Sequence, residues 1–95
     1  MNWKDYGYVV GSKHRRKVML SLDLVRTPTQ IARKTYINTS HISKVLKDLE
    51  KRDLVKCLTP KQRVGKIYSL TQEGREIVSY LKKTEDFKEE ISQEE

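Results

Sequence analysis

The sequence predicts a small, mainly α-helical domain with one short β-hairpin. Two segments with strong helix-capping signals follow each other closely between residues 27 and 52. Downstream, two strand-like segments enclose the turn-prone stretch TPKQRVG, which predicts the hairpin. The 95 residues are enough for one domain with a single hydrophobic core.

The first part of the chain predicts an arm followed by a helix. Residues 1–11, MNWKDYGYVVG, are rich in aromatic side chains and are interpreted as an ordered N-terminal arm. Ser12 can cap a helix that runs to about Leu22. Basic residues at a helix start oppose its macrodipole, so those here are candidates for phosphate contacts, with a solvated basic surface as the equal alternative. They are Lys13, Arg15, Arg16 and Lys17.

The second helix has the clearest start signal. Thr27 stands at the N-cap, Pro28 at the first helical position and Gln30 at N3, which together predict a capping box. The short helix directs Ile31 inward, and the turn that follows it places Ile37 in the core.

The third helix, roughly residues 39–52, shows the strongest periodicity. Its apolar positions recur at i, i+3, i+4 and i+7, and they are Ile42, Val45, Leu46 and Leu49. The opposite face carries Ser40, Lys44, Lys47 and Lys51. Asn38 or Thr39 is expected to cap this helix.

The segments DLVKCLT and GKIYSLT predict the two strands of the hairpin, and Thr71 can cap a last helix. Beyond it, Tyr80, Thr84, Phe87 and Ile91 follow a 4-3-4 spacing that could extend this helix along a weak heptad stripe. The expected organisation is an arm at 1–11, one domain at 12–83 and an acidic C-terminal tail at 84–95.

Charge is divided unevenly along the chain. The tail holds six acids and one base, a net of −5, and the nineteen bases and seven acids of residues 1–83 give +12. A small domain this positive predicts a polyanionic partner, with nucleic acid first and an acidic membrane surface second. The plain alternative is solubility. The tail has three interpretations: a solvating end, a dimer helix, or a DNA mimic that folds back on the basic face.

Several other functions find little support in the sequence. Cys57 is the only cysteine, so an intramolecular disulfide is impossible, a reducing cytoplasm fits best, and a buried filler is the expected role. The two histidines are far apart along the chain, so we expect no metal site and no cofactor. No catalytic acid–base pair or nucleophile can be assembled, which predicts a protein that is not an enzyme. Neither a membrane-spanning run nor a signal peptide is visible.

The order of these elements predicts a winged helix-turn-helix. A short helix, a four-residue turn and a longer helix with a small polar start precede a basic hairpin. Small hydroxyl and amide groups let a helix end enter a major groove without collision. For Thr39, capping is favoured over base contact, and for Ser40 and Lys44 the reverse. The candidate DNA contacts are Thr39, Ser40, His41, Ser43, Lys44 and Lys47 in the helix, and Lys61, Arg63 and Lys66 in the wing. For the wing bases, DNA contact is favoured over the alternative that a hairpin tip is charged because it is solvated.

The sequence also resembles the archaeal and bacterial winged helix-turn-helix transcription regulators of the MarR and ArsR type. The resemblance rests on TPTQIARKTYINTSHISKVLKDLEKRDLV and CLTPKQRVGKIYSLTQEGREIV, and it covers about residues 12–82. It implies a homodimer that binds double-stranded DNA as a transcription regulator, with the helix residues above in the major groove and Lys61, Arg63 and Lys66 in the wing.

Two departures limit what the resemblance implies. The long extra helices of full MarR proteins are missing from this sequence, so their effector pocket is not carried over and no small-molecule effector is named. The cysteine and histidine sets of ArsR-type metal sensors are missing too, so metal sensing is not carried over. The competing functions are a protein-interaction winged helix that uses the aromatic N-terminal stretch with Tyr80, Phe87 and Ile91, and RNA binding.

Overall fold

The structure, a computed structural model, describes the backbone of residues 1–93 and the side chains of residues 1–84. Within that range the chain forms a mainly helical domain with a two-stranded antiparallel sheet, as the sequence predicts. The elements are α1 (Trp3–Val10), α2 (Lys13–Ser21), α3 (Pro28–Thr35), α4 (Thr39–Lys51), β1 (Val55–Cys57), β2 (Tyr68–Leu70) and α5 (Gln72–Gln93).

The predicted N-terminal arm is a helix, α1. Asn2 caps it, because its side-chain oxygen accepts a hydrogen bond from the backbone N–H of Lys4 at 2.9 Å. Tyr6, Val9 and Val10 recur at i, i+3 and i+4, and Val9 is completely buried in the core. The interpretation of these residues as an arm is therefore corrected: the capping asparagine and this spacing were the signals of a helix.

The basic start of α2 holds the end of α1. The Arg15 guanidinium donates to the backbone oxygen of Tyr8 at 2.8 Å, and that of Arg16 donates to the backbone oxygen of Val10. The last carbonyl groups of a helix lack intrahelical partners and carry partial negative charge, so guanidinium groups are well suited to them. Two of the four bases considered for phosphate contacts therefore have an intramolecular role.

A tyrosine between two arginines links α1 to the far end of α4. The guanidinium groups of Arg15 and Arg52 each lie 3.7 Å from the centre of the Tyr8 ring. Arg52, which follows the last residue of α4, also pairs with Asp5 of α1 at 3.0 Å. The N-terminal helix thus belongs to the folded domain.

The helix-turn-helix forms from the local signals that the sequence predicts. Thr27 and Gln30 exchange both hydrogen bonds of a capping box, and Pro28 occupies the first helical position. Ile37 is buried in the turn, and Asn38 is the N-cap of α4. Both the capping box and the buried turn residue are confirmed.

The core lies where α2, α4, α5 and the hairpin meet. The stripe predicted on α4 is buried at three positions, Ile42, Leu46 and Leu49, and half-buried at Val45. It packs with the buried apolar side chains of α2 and α5. The buried apolar residues are Val9, Val18, Met19, Leu22, Ile31, Ile37, Ile42, Leu46, Leu49, Leu54, Val55, Tyr68, Leu70, Ile77, Val78 and Leu81.

The hairpin pairs in a register that places Val55 opposite Leu70. On its other edge β2 meets the loop before α3, where the backbone of Arg26 exchanges hydrogen bonds of 3.2 and 2.9 Å with that of Tyr68. This third neighbour was not predicted, and it fixes the base of the hairpin against the helices. Cys57, the expected filler, is only half-buried.

Two ionisable groups near the hairpin have shifted pKa values. Burial raises the pKa of the Tyr68 hydroxyl, with contributions from Cys57 and Glu50, so this phenol is neutral at physiological pH. At Asp23 burial acts in the same direction, but the hydrogen bond and charge of Arg26 outweigh it and lower the pKa of the carboxyl. The Asp23–Arg26 pair, at 3.2 Å, thereby stays charged beside the third neighbour of the sheet.

Helix α5 starts at the buried residue Thr71. The Thr71 hydroxyl accepts from the N–H of Gly74 at 3.1 Å and donates to the backbone oxygen of Asp53 at 2.7 Å. The helix continues to Gln93, and its buried side chains are Ile77, Val78 and Leu81. The side chains of Phe87 and Ile91, which the sequence places on the weak heptad stripe, lie outside the described part of the chain, as do residues 94–95. Within the described residues, none of the helices is long and apolar enough to cross a membrane.

Two glycines should respond in opposite directions to the same substitution. A Cβ at Gly74 would lie 2.1 Å from the backbone oxygen of Leu54, whereas one at Gly7 would meet nothing within 4 Å. We expect Gly74→Ala to lower the free energy of unfolding by about 1–3 kcal/mol or more. Gly7→Ala should raise it by about 0.5–1 kcal/mol, because alanine favours the helix. Urea unfolding measures both, and equal effects at the two positions would contradict this packing.

The role assigned to Arg15 predicts a loss of stability on its replacement. Arg15→Ala removes a charged hydrogen bond to the end of α1 and the contact with Tyr8, so we expect the free energy of unfolding to fall by about 1–3 kcal/mol. The matched control is Lys13→Ala, which changes an exposed residue at the start of α2. Thermal unfolding of both variants decides the matter: equal melting temperatures would mean that Arg15 does not hold α1.

Candidate nucleic-acid interface

The first turn of α4 combines a tight cap with exposed small side chains. The side-chain oxygen of Asn38 accepts from the backbone N–H of Ser40 at 2.8 Å, and the Ser40 hydroxyl donates to the same oxygen. Of the two residues that the sequence offered as the N-cap of α4, Asn38 is the one that caps it. Ser40 has its hydroxyl proton engaged, and the lone pairs of that oxygen remain able to accept. Thr39 is exposed beside it.

The outer face of α4 is a ridge of lysines, Lys44, Lys47 and Lys51, which we call the lysine ridge. All three are exposed, and they lie opposite the buried stripe of the helix. At 3.6 residues per turn they fall within about 60° of one another around the helix. Ser43 is exposed at the edge of the ridge, and the acidic Asp48 is half-buried on the flank. The ridge itself is uniformly positive.

The two histidines, far apart in sequence, meet in the structure. His41 on α4 and His14 on α2 have ring centres 5.3 Å apart and an interplanar angle of 72°. Their separation along the chain did not predict this contact, which arises because the first turn of α2 packs beside the first turn of α4. Within the described residues, no three side chains of the metal-binding types come together. The pair marks the flank of α4 that faces α2.

The wing presents two of its three predicted bases to solvent. Lys61 and Arg63 are exposed in the loop between the strands, whereas Lys66 is half-buried nearer to β2. The base of the loop is closed by the N–H of Leu58, which donates to the backbone oxygen of Ile67 at 2.8 Å. The three bases therefore do not form one exposed set, since Lys66 lies at the base of the wing.

Sequence reasoning missed the residues that shape the tip of the wing. The Gln62 side chain donates to the backbone oxygen of Val64 at 2.7 Å, and Gly65 has φ 70°. This geometry holds Val64 at the tip with 82% of its surface exposed. Gly65 indicated a turn in the sequence. The hydrogen bond from the Gln62 side chain to the backbone of the same loop has no recognisable sequence pattern. The tip is an ordered turn with an apolar point, Val64, directly after Arg63.

A tight connection fixes the wing relative to α4. Asp53 adopts a left-handed conformation with φ 61°, and the N–H of Leu54 returns to the backbone oxygen of Leu49 at 3.0 Å. The backbone oxygen of Leu54 then accepts from the N–H of Thr71 at 3.1 Å, where β2 leads into α5. These hydrogen bonds connect the end of α4, which carries the lysine ridge, to the base of the wing.

The fold is shared with solved bacterial transcription regulators. A mutant of ZitR from Lactococcus lactis is 23% identical, with a TM-score of 0.68 over 81% of this chain and 53% of that chain, so the present chain spans about half of its length. A MarR-family transcriptional regulator from Silicibacter pomeroyi is 18% identical, with a TM-score of 0.73 over 92% of this chain and 64% of its own. These likenesses establish the fold.

The transcriptional repressor CouR, solved bound to a 23-mer DNA duplex, is 29% identical to the chain. Its TM-score is 0.67 over 84% of this chain and 61% of that chain. No curated protein sequence matches the chain. A family model described as winged helix-turn-helix matches residues 18–89, which is most of the sequence and includes α3, α4 and the wing. The chain belongs to the winged helix-turn-helix family.

Proposed function

We propose that the protein binds double-stranded DNA and acts as a transcription regulator. The observation that carries the proposal is the lysine ridge, an exposed and uniformly positive face on the second helix of a helix-turn-helix. The buried stripe behind it prevents α4 from turning that face inward. Most protein–DNA hydrogen bonds go to phosphate and sugar, and lysines that retain their hydration suit that role.

In this proposal α4 enters the major groove. A groove about 12 Å wide admits one helix, and small side chains at its start allow close approach to the base edges. Lys44 lies one turn beyond Ser40 and can reach a guanine edge, while Lys47 is placed for the adjacent backbone. The residues proposed to act in the groove are Thr39, Ser40, His41, Ser43, Lys44 and Lys47.

The wing is proposed to contact DNA beside the site of α4. Arg63 directly precedes the exposed Val64 and Lys61 lies two residues before Arg63, and such a tip can approach a minor groove with its bases on the flanking backbone. Lys66 is assigned a weaker, outer contact because it is half-buried at the base of the wing. The structure of DNA-bound CouR, which has the same fold, supports duplex DNA as the partner. This is a binding function and not an enzymatic one.

A cluster of three aromatic rings, two of them exposed, supports a second candidate, a protein-interaction role. Trp3, Tyr6 and Tyr80 pack edge to face with ring centres 5.1–5.5 Å apart, and Trp3 remains 60% exposed. Exposed aromatic side chains are common in protein interfaces. The cluster joins α1 to α5, away from the sequence stretch that forms α4 and the wing, so it could serve a partner while α4 binds DNA.

Two substitutions should separate base reading from backbone contact. We expect Lys44→Ala to lower the discrimination between a duplex selected from a randomised pool and a random duplex, by about 1–3 kcal/mol. Arg63→Ala should weaken binding to both duplexes alike and reduce the slope of log affinity against log salt by about one. Fluorescence anisotropy between about 50 and about 300 mM salt measures both effects.

The matched control is Lys83→Ala, which removes one exposed positive charge from α5. It should change neither the discrimination nor the slope by as much as the test variants. If Lys44→Ala and Arg63→Ala behave identically on the two duplexes, the base-reading role of Lys44 is wrong. If the unaltered protein binds neither duplex, the DNA-binding proposal fails and the aromatic cluster becomes the leading site.

We also propose that two copies pair through α5. The helix has 22 residues and is about 33 Å long, and the last buried residue among its described side chains is Leu81. In the sequence, Tyr80, Thr84, Phe87 and Ile91 continue at 4-3-4 spacing, which favours a helical partner. A second recognition helix would let the dimer contact two half-sites of one duplex.

The pairing proposal predicts that apolar residues of the tail hold the dimer. We expect the double variant Phe87→Ser, Ile91→Ser to elute as a monomer when its mass is measured by light scattering after size-exclusion chromatography. The double variant Glu89→Gln, Glu90→Gln alters the same segment without removing an apolar side chain, and it should remain dimeric. A dimer that survives truncation after Thr84 would exclude pairing through the tail.

A further inference from the structure

The turn between α3 and α4 carries the most exposed large hydrophobic side chain of the described residues. Tyr36 is 94% exposed, although its neighbours Thr35 and Ile37 are both buried. A tyrosine in this position leaves almost its whole ring in water, where it contributes little to the core. The side chain therefore has no evident role in holding the fold together.

The backbone of Tyr36 is also in an unfavourable conformation. Its φ of 60° and ψ of 30° place it in the left-handed region, where a bulky side chain is disfavoured and glycine or asparagine is usual. The turn of a helix-turn-helix often contains glycine. The structural task of the residue, an N–H that donates to the backbone oxygen of Ala32 at 2.8 Å, needs no side chain. A tyrosine here has two disadvantages for folding and no compensating contact.

The surroundings of Tyr36 are cationic. With Lys17 of α2 and Lys34 of α3 it lines a shallow groove of about 260 Å³, and no acidic side chain lines that groove. One turn before Lys17, on the same face of α2, lies His14, which contacts His41 at the start of α4. The groove therefore lies along the same face of α2 whose first turn contacts the start of α4.

We propose that the Tyr36 hydroxyl donates a hydrogen bond to a phosphate of the bound DNA, on the α2 side of α4, with Lys17 and Lys34 beside the adjacent phosphates. The inference rests on the proposed DNA-binding function and extends the contact surface away from the wing. A tyrosine hydroxyl is a known type of phosphate donor. The contact positions the helix and does not depend on base sequence, so a random duplex is a sufficient probe.

Two variants of the full chain test the contact on a random-sequence DNA duplex by fluorescence anisotropy. Tyr36→Phe keeps the ring and the backbone strain and removes only the hydroxyl, and we expect it to bind about two- to tenfold more weakly. Tyr36→Gly should lose affinity similarly while its melting temperature rises, because glycine accepts the left-handed conformation. Neither variant loses a charge, so the salt slope should stay unchanged, whereas Lys34→Ala should lower it by about 0.9.

The matched control is Asp53→Gly. Asp53 has almost the same left-handed φ, 61°, at the end of α4, so the substitution makes the same backbone change without touching the cationic groove. It should bind the random duplex with no loss of affinity. The hydroxyl contact is wrong if Tyr36→Phe binds as tightly as the unaltered protein. If the unaltered protein itself does not bind the duplex, the proposed function fails, and that result differs from a failure confined to Tyr36.

Discussion

Burial of one face of α4 is the constraint on which the rest of the structure depends. Ile42, Leu46 and Leu49 are completely inaccessible to solvent, and each apolar side chain buried this fully contributes about 1.5–3 kcal/mol. Turning α4 about its axis would expose all three and bury lysines. The outward direction of the lysine ridge is therefore enforced by the core. The cap at Asn38 fixes the start of α4, and the tight connection at Asp53 fixes its end. Because that connection leads into β1, the position of the wing also depends on α4.

Local signals predicted most of this architecture. The capping box at Thr27, the cap at Asn38, the stripe of α4 and the two strands each depend on residues close together in sequence, and each is present. Features that depend on distant residues were missed. The backbone pairing of Arg26 with Tyr68 and the contact between His14 and His41 arise only when helices pack, and no periodicity announces them.

The basic start of α2 shows how a charge pattern can be misinterpreted for the same reason. Arginines at a helix start looked available for phosphate because the partner, the end of α1, was taken for an arm. Once residues 3–10 are a helix, its terminal carbonyl groups need donors, and Arg15 and Arg16 supply them. Eight of the nine candidate residues are exposed, which permits contact with DNA. Exposure does not identify the base that a residue reads, so the roles proposed for these residues remain predictions.

Arginine and lysine side chains have different surroundings in this domain. Five of the seven arginines donate to backbone carbonyl groups or carboxylates within the domain, and they are Arg15, Arg16, Arg26, Arg52 and Arg75. A planar guanidinium suits such fixed, multiple bonds, whereas a hydrated ammonium group on a flexible stem suits phosphates whose positions vary. The outward positive charge of α4 is accordingly all lysine, although the helix also exposes the acidic Glu50. The other two arginines, Arg33 and Arg63, are exposed, and Arg63 lies in the loop of the wing. The contrast fits the proposed roles, in which Lys44 of α4 reads a base edge and Arg63 of the wing contacts the DNA backbone.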